Sequence, residues 1–183
     1  IKMLGHEAEL VWDVVTCVNH RNYPYLDELK TSLYHIGVRQ WRLFTIFPMG
    51  RAASHPKFQL SNDEFTGIME FIKRIRKEGK MHASYGCDGF FSCNAGISVG
   101  SILADGAISA CPSIRSDYHQ GSIYRDDFMD VWENRFQSFR NREWMKKGLC
   151  ADCSLFRYCE GNGMHLRDNK GALLFCHLDR LHP

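Results

Sequence analysis

Apolar positions in the first 85 residues repeat with two different periods. Residues 9–18, ELVWDVVTCV, are β-branched and almost continuously apolar, the pattern of a strand covered on both faces. In NYPYLDELKTSLYHIG the period lengthens, and Leu26, Leu29, Leu33 and Ile36 fall on one face of a predicted helix. Pro24 suits its first turn and Gly37 its stop. VRQWRLFTIF predicts a second strand over 38–47. Ser61 and Glu64 form a capping-box pattern that opens a second helix, with an apolar stripe of Phe65, Ile68, Ile72 and Ile75. Gly79 ends that helix, KRIRKEGK is its solvated face, and MHASY (81–85) predicts a third short strand. Alternation of strand and helix with apolar strands signals a parallel α/β sheet. So few strands leave edges and much of the core open. Residues 1–86 are therefore expected to be the tail of a larger α/β domain.

From residue 87 to 183 the pattern changes. ISVGSILADGAISACP alternates about Asp105 and Gly106, a hairpin signal. DDFMDVWENRFQSFRNREWMKKG is helical, with Phe128, Val131, Trp132 and Phe136 on one side, then a break and a second short helix. Loops dense in cysteine and glycine follow. A region this loop-rich needs staples, which bound metal can supply.

A net charge of +2 over 183 residues gives no reason to expect nucleic acid or a membrane as partner. No run of 18 apolar residues and no secretory signal pattern occurs, so the expectation is a cytoplasmic chain. The opening IKMLGHEAELVW lacks a start methionine and reads as the beginning of a piece of a longer protein.

Eight cysteines change the picture: Cys17, Cys87, Cys93, Cys111, Cys150, Cys153, Cys159 and Cys176, seven of them in the last 97 residues. Disulfides belong to oxidising compartments. A CxxC with a third cysteine close behind reads instead as a metal site in an intracellular chain. The predicted hairpin brings Cys93 near Cys111, and Cys150 and Cys153 can reach one centre from a tight turn. Such thiolates suit zinc or iron–sulfur clusters. Cys17, on the first strand, is expected to be an inert core thiol. Seven cysteines remain, one short of two four-ligand sites.

The run C-x5-C-x12-G-x4-C from Cys87 to Cys111, then C-x2-C-x5-C from Cys150 to Cys159, then Cys176, resembles the SPASM domain. This is the C-terminal extension of many radical S-adenosylmethionine enzymes that modify peptides and proteins. ADGAISACPS, GSIYRDDFMDVW and CADCSLFRYCEGNG share its style, while WDVVTCVNHRN and WRLFTIFPMGRA resemble late strands of the family's partial (β/α)6 barrel. The resemblance implies residues 1–86 as the end of that barrel and 87–183 as a loop-rich α+β SPASM domain.

It further implies two auxiliary 4Fe–4S clusters. One would be held by Cys150, Cys153, Cys159 and Cys176. The other would be held by Cys87, Cys93, Cys111 and a fourth cysteine at a position where this chain has Gly163. Water, substrate, Asn162 or His165 could complete that site, and His165 could equally be a surface or supporting histidine. Gly161 and Gly163 suit a tight loop. In the full-length enzyme the family adds S-adenosylmethionine and a third 4Fe–4S cluster on a CxxxCxxC loop. That spacing is absent here, so this stretch is not expected to start radical chemistry alone. Strand C-terminal ends contact S-adenosylmethionine in the family, which points to Asn19 and Phe47, with Arg42 and Arg51 as further candidates; parallel barrels build sites at those ends. Turn capping by Asn19 and a surface ion pair of Arg51 are the structural alternatives. Pro112 follows Cys111, where the sulfatase-maturing branch has a catalytic Asp. The implied partners are a peptide or protein substrate and an electron donor such as ferredoxin or flavodoxin. The competing class is a zinc-stapled binding module without redox activity.

Overall fold

The computed structural model describes residues 11–48, 50–86, 93–114, 118–168 and 170–181. They group into two compact units: residues up to 86 with the helix at 177–181, and residues 93–176.

The first unit is a parallel sheet of three strands in the order β1 (Val14–Val18), β2 (Gln40–Thr45), β3 (His82–Tyr85). Helix α1 (Leu26–His35) connects the first two, preceded by a 3-10 turn at Tyr23–Tyr25 that holds Pro24. Helix α2 (Asn62–Glu78) connects the last two. Its start is the capping box read from the sequence. Ser61 Oγ accepts from the Glu64 N–H at 3.1 Å, and Glu64 Oε2 accepts from the Ser61 N–H at 2.8 Å. Gly79 ends the helix at φ 69°, a conformation that favours glycine. Phe65, Ile68, Ile72 and Ile75 are buried as the stripe requires, joined by Phe71.

Alternation along β2 buries Trp41, Leu43 and Thr45 beneath the helices, with the Trp41 ring edge-on to Phe71 at 5.7 Å. Ion pairs from Asp27 to Arg74 and from Lys30 to Glu78 tie the two helices together. The last helix packs on α2, and its His177 Nε2 lies 2.9 Å from the buried Tyr85 hydroxyl, which also contacts Thr45 Oγ1 at 2.7 Å. Burial raises the Tyr85 phenol above its ordinary pKa.

One expectation is corrected. The apolar run of β1 predicted burial on both faces, but Cys17 is exposed. Among the described residues the helices cover only one face of the sheet. Val15, also exposed, shares the other face with Cys17 by alternation, while Val18 is fully buried.

The second unit contains the hairpin β4 (Ser101–Ile102) and β5 (Ala107–Ser109), paired antiparallel with Ile102 opposite Ile108. Gly106 turns it at φ 80°. A third strand, β6 (Gly121–Ser122), pairs with β5. Helices α3 (Phe128–Asn134) and α4 (Gln137–Arg140) follow with the expected break between them. Val131, Phe136 and Phe139 pack with Ile108, Ala110, Met145 and Met164 into one small core. A short helix, α5 (Phe156–Cys159), lies in the cysteine-rich loops, and α6 (His177–Leu181) is the terminal helix described above.

Candidate metal centre

The cysteine-rich part of the second unit is made of single turns. Cys150 closes a 3-10 turn, Cys153 carries the carbonyl that accepts the Phe156 N–H at 3.1 Å, and Cys159 ends α5. Three consecutive left-handed residues then reverse the chain: Glu160 (φ 47°), Gly161 (φ 77°) and Asn162 (φ 63°). Two of these are not glycine, a strained arrangement held by the surrounding packing. The Asn162 N–H closes back on the Cys159 carbonyl at 2.7 Å. At Gly161 a Cβ would sit 2.7 Å from Arg167 Nη2 and 2.8 Å from Met145 Cβ, so the backbone and the packing both require glycine there.

Four cysteines influence one another electrostatically. Burial raises the Cys159 thiol above its ordinary pKa, and the neighbouring Cys150, Cys153 and Cys176 add to that rise, opposed by the Gly161 N–H. These are the four cysteines assigned to one site by the resemblance. A guanidinium stands beside them: Arg167, 1% exposed, points Nη2 at Cys150 Sγ (3.4 Å) and donates to the Gly161 carbonyl (3.2 Å), while Nη1 donates to the Gly171 carbonyl (2.9 Å). A permanent cation in a buried place favours thiolate and complements the negative charge of a thiolate-ligated cluster. Metal binding at this site must displace thiol protons, so its affinity rises with pH.

Cys93 and Cys111 are half-buried against the core around Met145 and Met164. Arg142, 3% exposed, donates to the carbonyls of Phe139 (2.7 Å), Cys93, and Asn162 (3.5 Å). The same side chain thus joins the Cys93 segment to the loop that follows Cys159. Cys87 lies outside the described residues. The described cysteines are all free thiols. No three His, Cys, Asp or Glu side chains among the described residues gather tightly enough to hold one metal ion. A mononuclear tetrahedral zinc needs its sulfurs within about 4 Å of one another; a four-iron cluster spreads its thiolates over four metals and accepts wider spacing. The donor set, all thiolate with a buried cation beside it, fits a cluster.

Gly163 holds a surprise. Its φ is −71°, open to any residue, so backbone geometry does not explain the glycine. A Cβ there would instead meet the His165 ring, at 2.5 Å from Cε1 and 2.7 Å from Nδ1. Burial pushes the His165 imidazole below its ordinary pKa, towards the neutral form. Asn162 Oδ1 accepts the Gly163 N–H at 2.8 Å.

The four candidates in the first unit fall in different places. Asn19 follows β1 at its C-terminal end, where its Oδ1 accepts the Arg21 N–H (3.0 Å) and its own N–H donates to Asn22 Oδ1 (2.8 Å). Phe47 lies just beyond the C-terminal end of β2, its ring edge-on to His177 at 6.2 Å. Arg42 sits within β2 and pairs with Asp13, Nη2 donating to Oδ1 at 3.1 Å; this hydrogen bond holds the Asp13 carboxyl below the usual range. Arg51 is exposed in the turn Gly50–Ser54. Sequence reasoning missed Arg142 and Arg167, because nothing in the spacing of a charged residue distinguishes a buried guanidinium from a solvated one.

Residues 93–154 match the SPASM iron–sulfur cluster-binding domain. Two curated relatives, each an AdoMet-dependent heme synthase, are 22% identical over 184 residues and align with 85% of this chain. They come from Oleidesulfovibrio alaskensis and Nitratidesulfovibrio vulgaris, and the alignments cover 47% and 49% of their lengths, so this chain spans about half of each. Among solved structures, native anSMEcpe with bound AdoMet and Kp18Cys peptide shares the fold at a TM-score of 0.66 and 14% identity, over 98% of this chain and 56% of that one. Streptococcus suis SuiB bound to S-adenosylmethionine does so at 0.58 and 13%, over 84% and 40%. The chain thus has a match to an iron–sulfur cluster-binding domain at 93–154, is similar over most of its length to two AdoMet-dependent heme synthases, and shares its fold with two proteins solved with AdoMet bound.

Proposed function

We propose that this chain is the barrel end and auxiliary-cluster domain of a radical S-adenosylmethionine enzyme. Cys150, Cys153, Cys159 and Cys176 hold one 4Fe–4S cluster, and Cys93 and Cys111, with Cys87, hold a second. The observation that carries the reading is the buried Arg167 guanidinium 3.4 Å from Cys150 Sγ, in a cysteine-rich stretch within and just beyond residues that match an iron–sulfur domain. The clusters would supply one-electron transfer or a place for substrate to bind. Arg167 places a permanent positive charge 3.4 Å from Cys150 Sγ, and Arg142 fixes the Cys93 carbonyl to the end of α4.

In the first unit, Asn19 and Phe47 at the C-terminal strand ends would form one flank of the S-adenosylmethionine pocket of a partial barrel. The positions of Arg42, turned to Asp13, and of Arg51, exposed, make them weaker members. A third cluster and the start of the radical reaction belong to a CxxxCxxC loop that these 183 residues lack. Ferredoxin or flavodoxin is the expected donor.

A peptide or protein substrate is supported by the fold shared with peptide-bound anSMEcpe. A second reading, a heme precursor as substrate, is favoured by the two sequence relatives. Anaerobic reconstitution with iron and sulfide, followed by metal and sulfide analysis, tests the cluster reading: about eight iron per chain is expected. Zinc at both sites after that treatment would establish the zinc-stapled module instead. Titrating the loaded protein with a cysteine-containing peptide and with a porphyrin, and following the cluster EPR signals, separates the substrate readings.

A further inference from the structure

Resting on the cluster assignment above, we propose that Arg167 tunes the cluster bound through Cys150: its guanidinium, donating to the ligand sulfur, raises the reduction potential of that cluster. The first observation is the contact itself, with Nη2 of Arg167 standing 3.4 Å from Cys150 Sγ. The second is burial. Arg167 is 1% exposed and Cys150 6%, so water screens the attraction between guanidinium and sulfur far less than it would at the surface. The charge is also permanent, because a guanidinium does not lose its proton in a protein. A cation buried to this degree needs negative charge beside it, and thiolate-ligated iron supplies that.

The third observation is that the chain itself seats the guanidinium. Nη1 donates to the Gly171 carbonyl at 2.9 Å, and Nη2 also donates to the Gly161 carbonyl at 3.2 Å. Gly161 leaves the room, since a Cβ there would meet Nη2 at 2.7 Å. The backbone beside Arg167 is fixed as well. Asp168 Oδ1 accepts the N–H groups of Lys170 (2.9 Å) and Ala172 (2.8 Å), and the Asp168 N–H donates to the Ala172 carbonyl at 2.9 Å. A donor held in this way does not have to reorganise when charge arrives at the sulfur. One-electron reduction adds a negative charge to a cluster, and net charge and hydrogen bonds to the sulfurs set its potential. The fixed cation therefore favours the reduced form.

A redox titration of the reconstituted chain, followed by EPR, tests the proposal without reference to activity. In Arg167→Met the ratio of reduced to oxidised cluster at a fixed potential should fall about tenfold or more for one cluster, a downward shift of about 59 mV for a one-electron couple. Arg167→Lys keeps the charge and should recover part of that shift. A merely structural role would lower iron content and leave the potential of the loaded cluster where it was. In the wild type, growth with guanidino-nitrogen-15 arginine should give a weak nitrogen coupling in pulsed EPR of the reduced cluster that changes with the label and is absent from Arg167→Lys. Loaded clusters whose potentials are unchanged in Arg167→Met would overturn the role of Arg167 while leaving the cluster reading in place. A wild-type protein that takes up no four-iron cluster would overturn the cluster reading itself. If Arg167→Met does not fold or does not load iron, the labelled wild type decides alone, and the absence of a label-dependent coupling there overturns the proposal.

Discussion

Replacing Arg142 with Met should unfasten the segment that carries Cys93 from the end of α4. The guanidinium is 3% exposed and donates to the Phe139 carbonyl at 2.7 Å, to the Cys93 carbonyl, and to the Asn162 carbonyl at 3.5 Å. Each of the first two bonds from a charged donor contributes about 1.5–3 kcal/mol, and the third is too long to add much. Met retains the packing of the aliphatic stem. Relief of burying a charge offsets part of the loss, which leaves a destabilisation of about 2–3 kcal/mol. The assay is urea denaturation of the reconstituted protein, with hydrogen exchange at 93–99 and the rate of iron loss to a chelator read in parallel. Exchange at the Gly96 and Ile97 amides, just beyond Cys93, should accelerate roughly 30-fold or more, since 1.4 kcal/mol is a factor of ten. A midpoint shift worth less than about 0.5 kcal/mol, with unchanged iron retention, would refute the clamp.

Gly161→Ala should cost about 2–3 kcal/mol in the same denaturation assay, because φ is 77° and the new Cβ meets Arg167 and Met145; a cost below about 1 kcal/mol would contradict the packing described. Cys17→Ser should change stability by no more than about 0.5 kcal/mol, and mass mapping after brief maleimide treatment should find Cys17 alkylated, since the thiol is exposed. A protected Cys17 would restore the core reading. The depressed Asp13 carboxyl stabilises the fold at pH values above about 4, and that contribution disappears as pH falls through its lowered folded-state pKa. Asp13→Asn should flatten acid denaturation there by about 0.5 kcal/mol, a small amount because Arg42 is 37% exposed.

Local signals carried the first unit. The Ser61–Glu64 box, the α2 stripe and the Gly79 stop each depend on residues within a few positions, and each reappears in the structure. Cys17 was misjudged because an apolar run records what a strand can tolerate, not which face the chain covers. The return of α6 onto α2, with His177 against Tyr85, depends on contacts 92 positions apart and leaves no periodic trace. Strand β6 is two residues long and begins with glycine, so it had no pattern to read. In the candidate site, spacing paired Cys150 with Cys153, and the family resemblance joined Cys159 and Cys176 to them. Spacing could not show Arg167 buried beside Cys150 or Arg142 buried against the Cys93 carbonyl, since charge alone predicts exposure. Nor could it show that Gly163 is small because of an imidazole two residues away.

The central claim is that these cysteines hold two four-iron clusters, and Mössbauer spectroscopy on protein reconstituted anaerobically with iron-57 tests it most directly. The account predicts spectra accounted for by two 4Fe–4S clusters, about eight iron per chain, falling by half in Cys153→Ala, with residues 145–176 becoming protease-sensitive as their staple is lost. Mononuclear iron only, or a spectrum and protease resistance unchanged by Cys153→Ala, would contradict it.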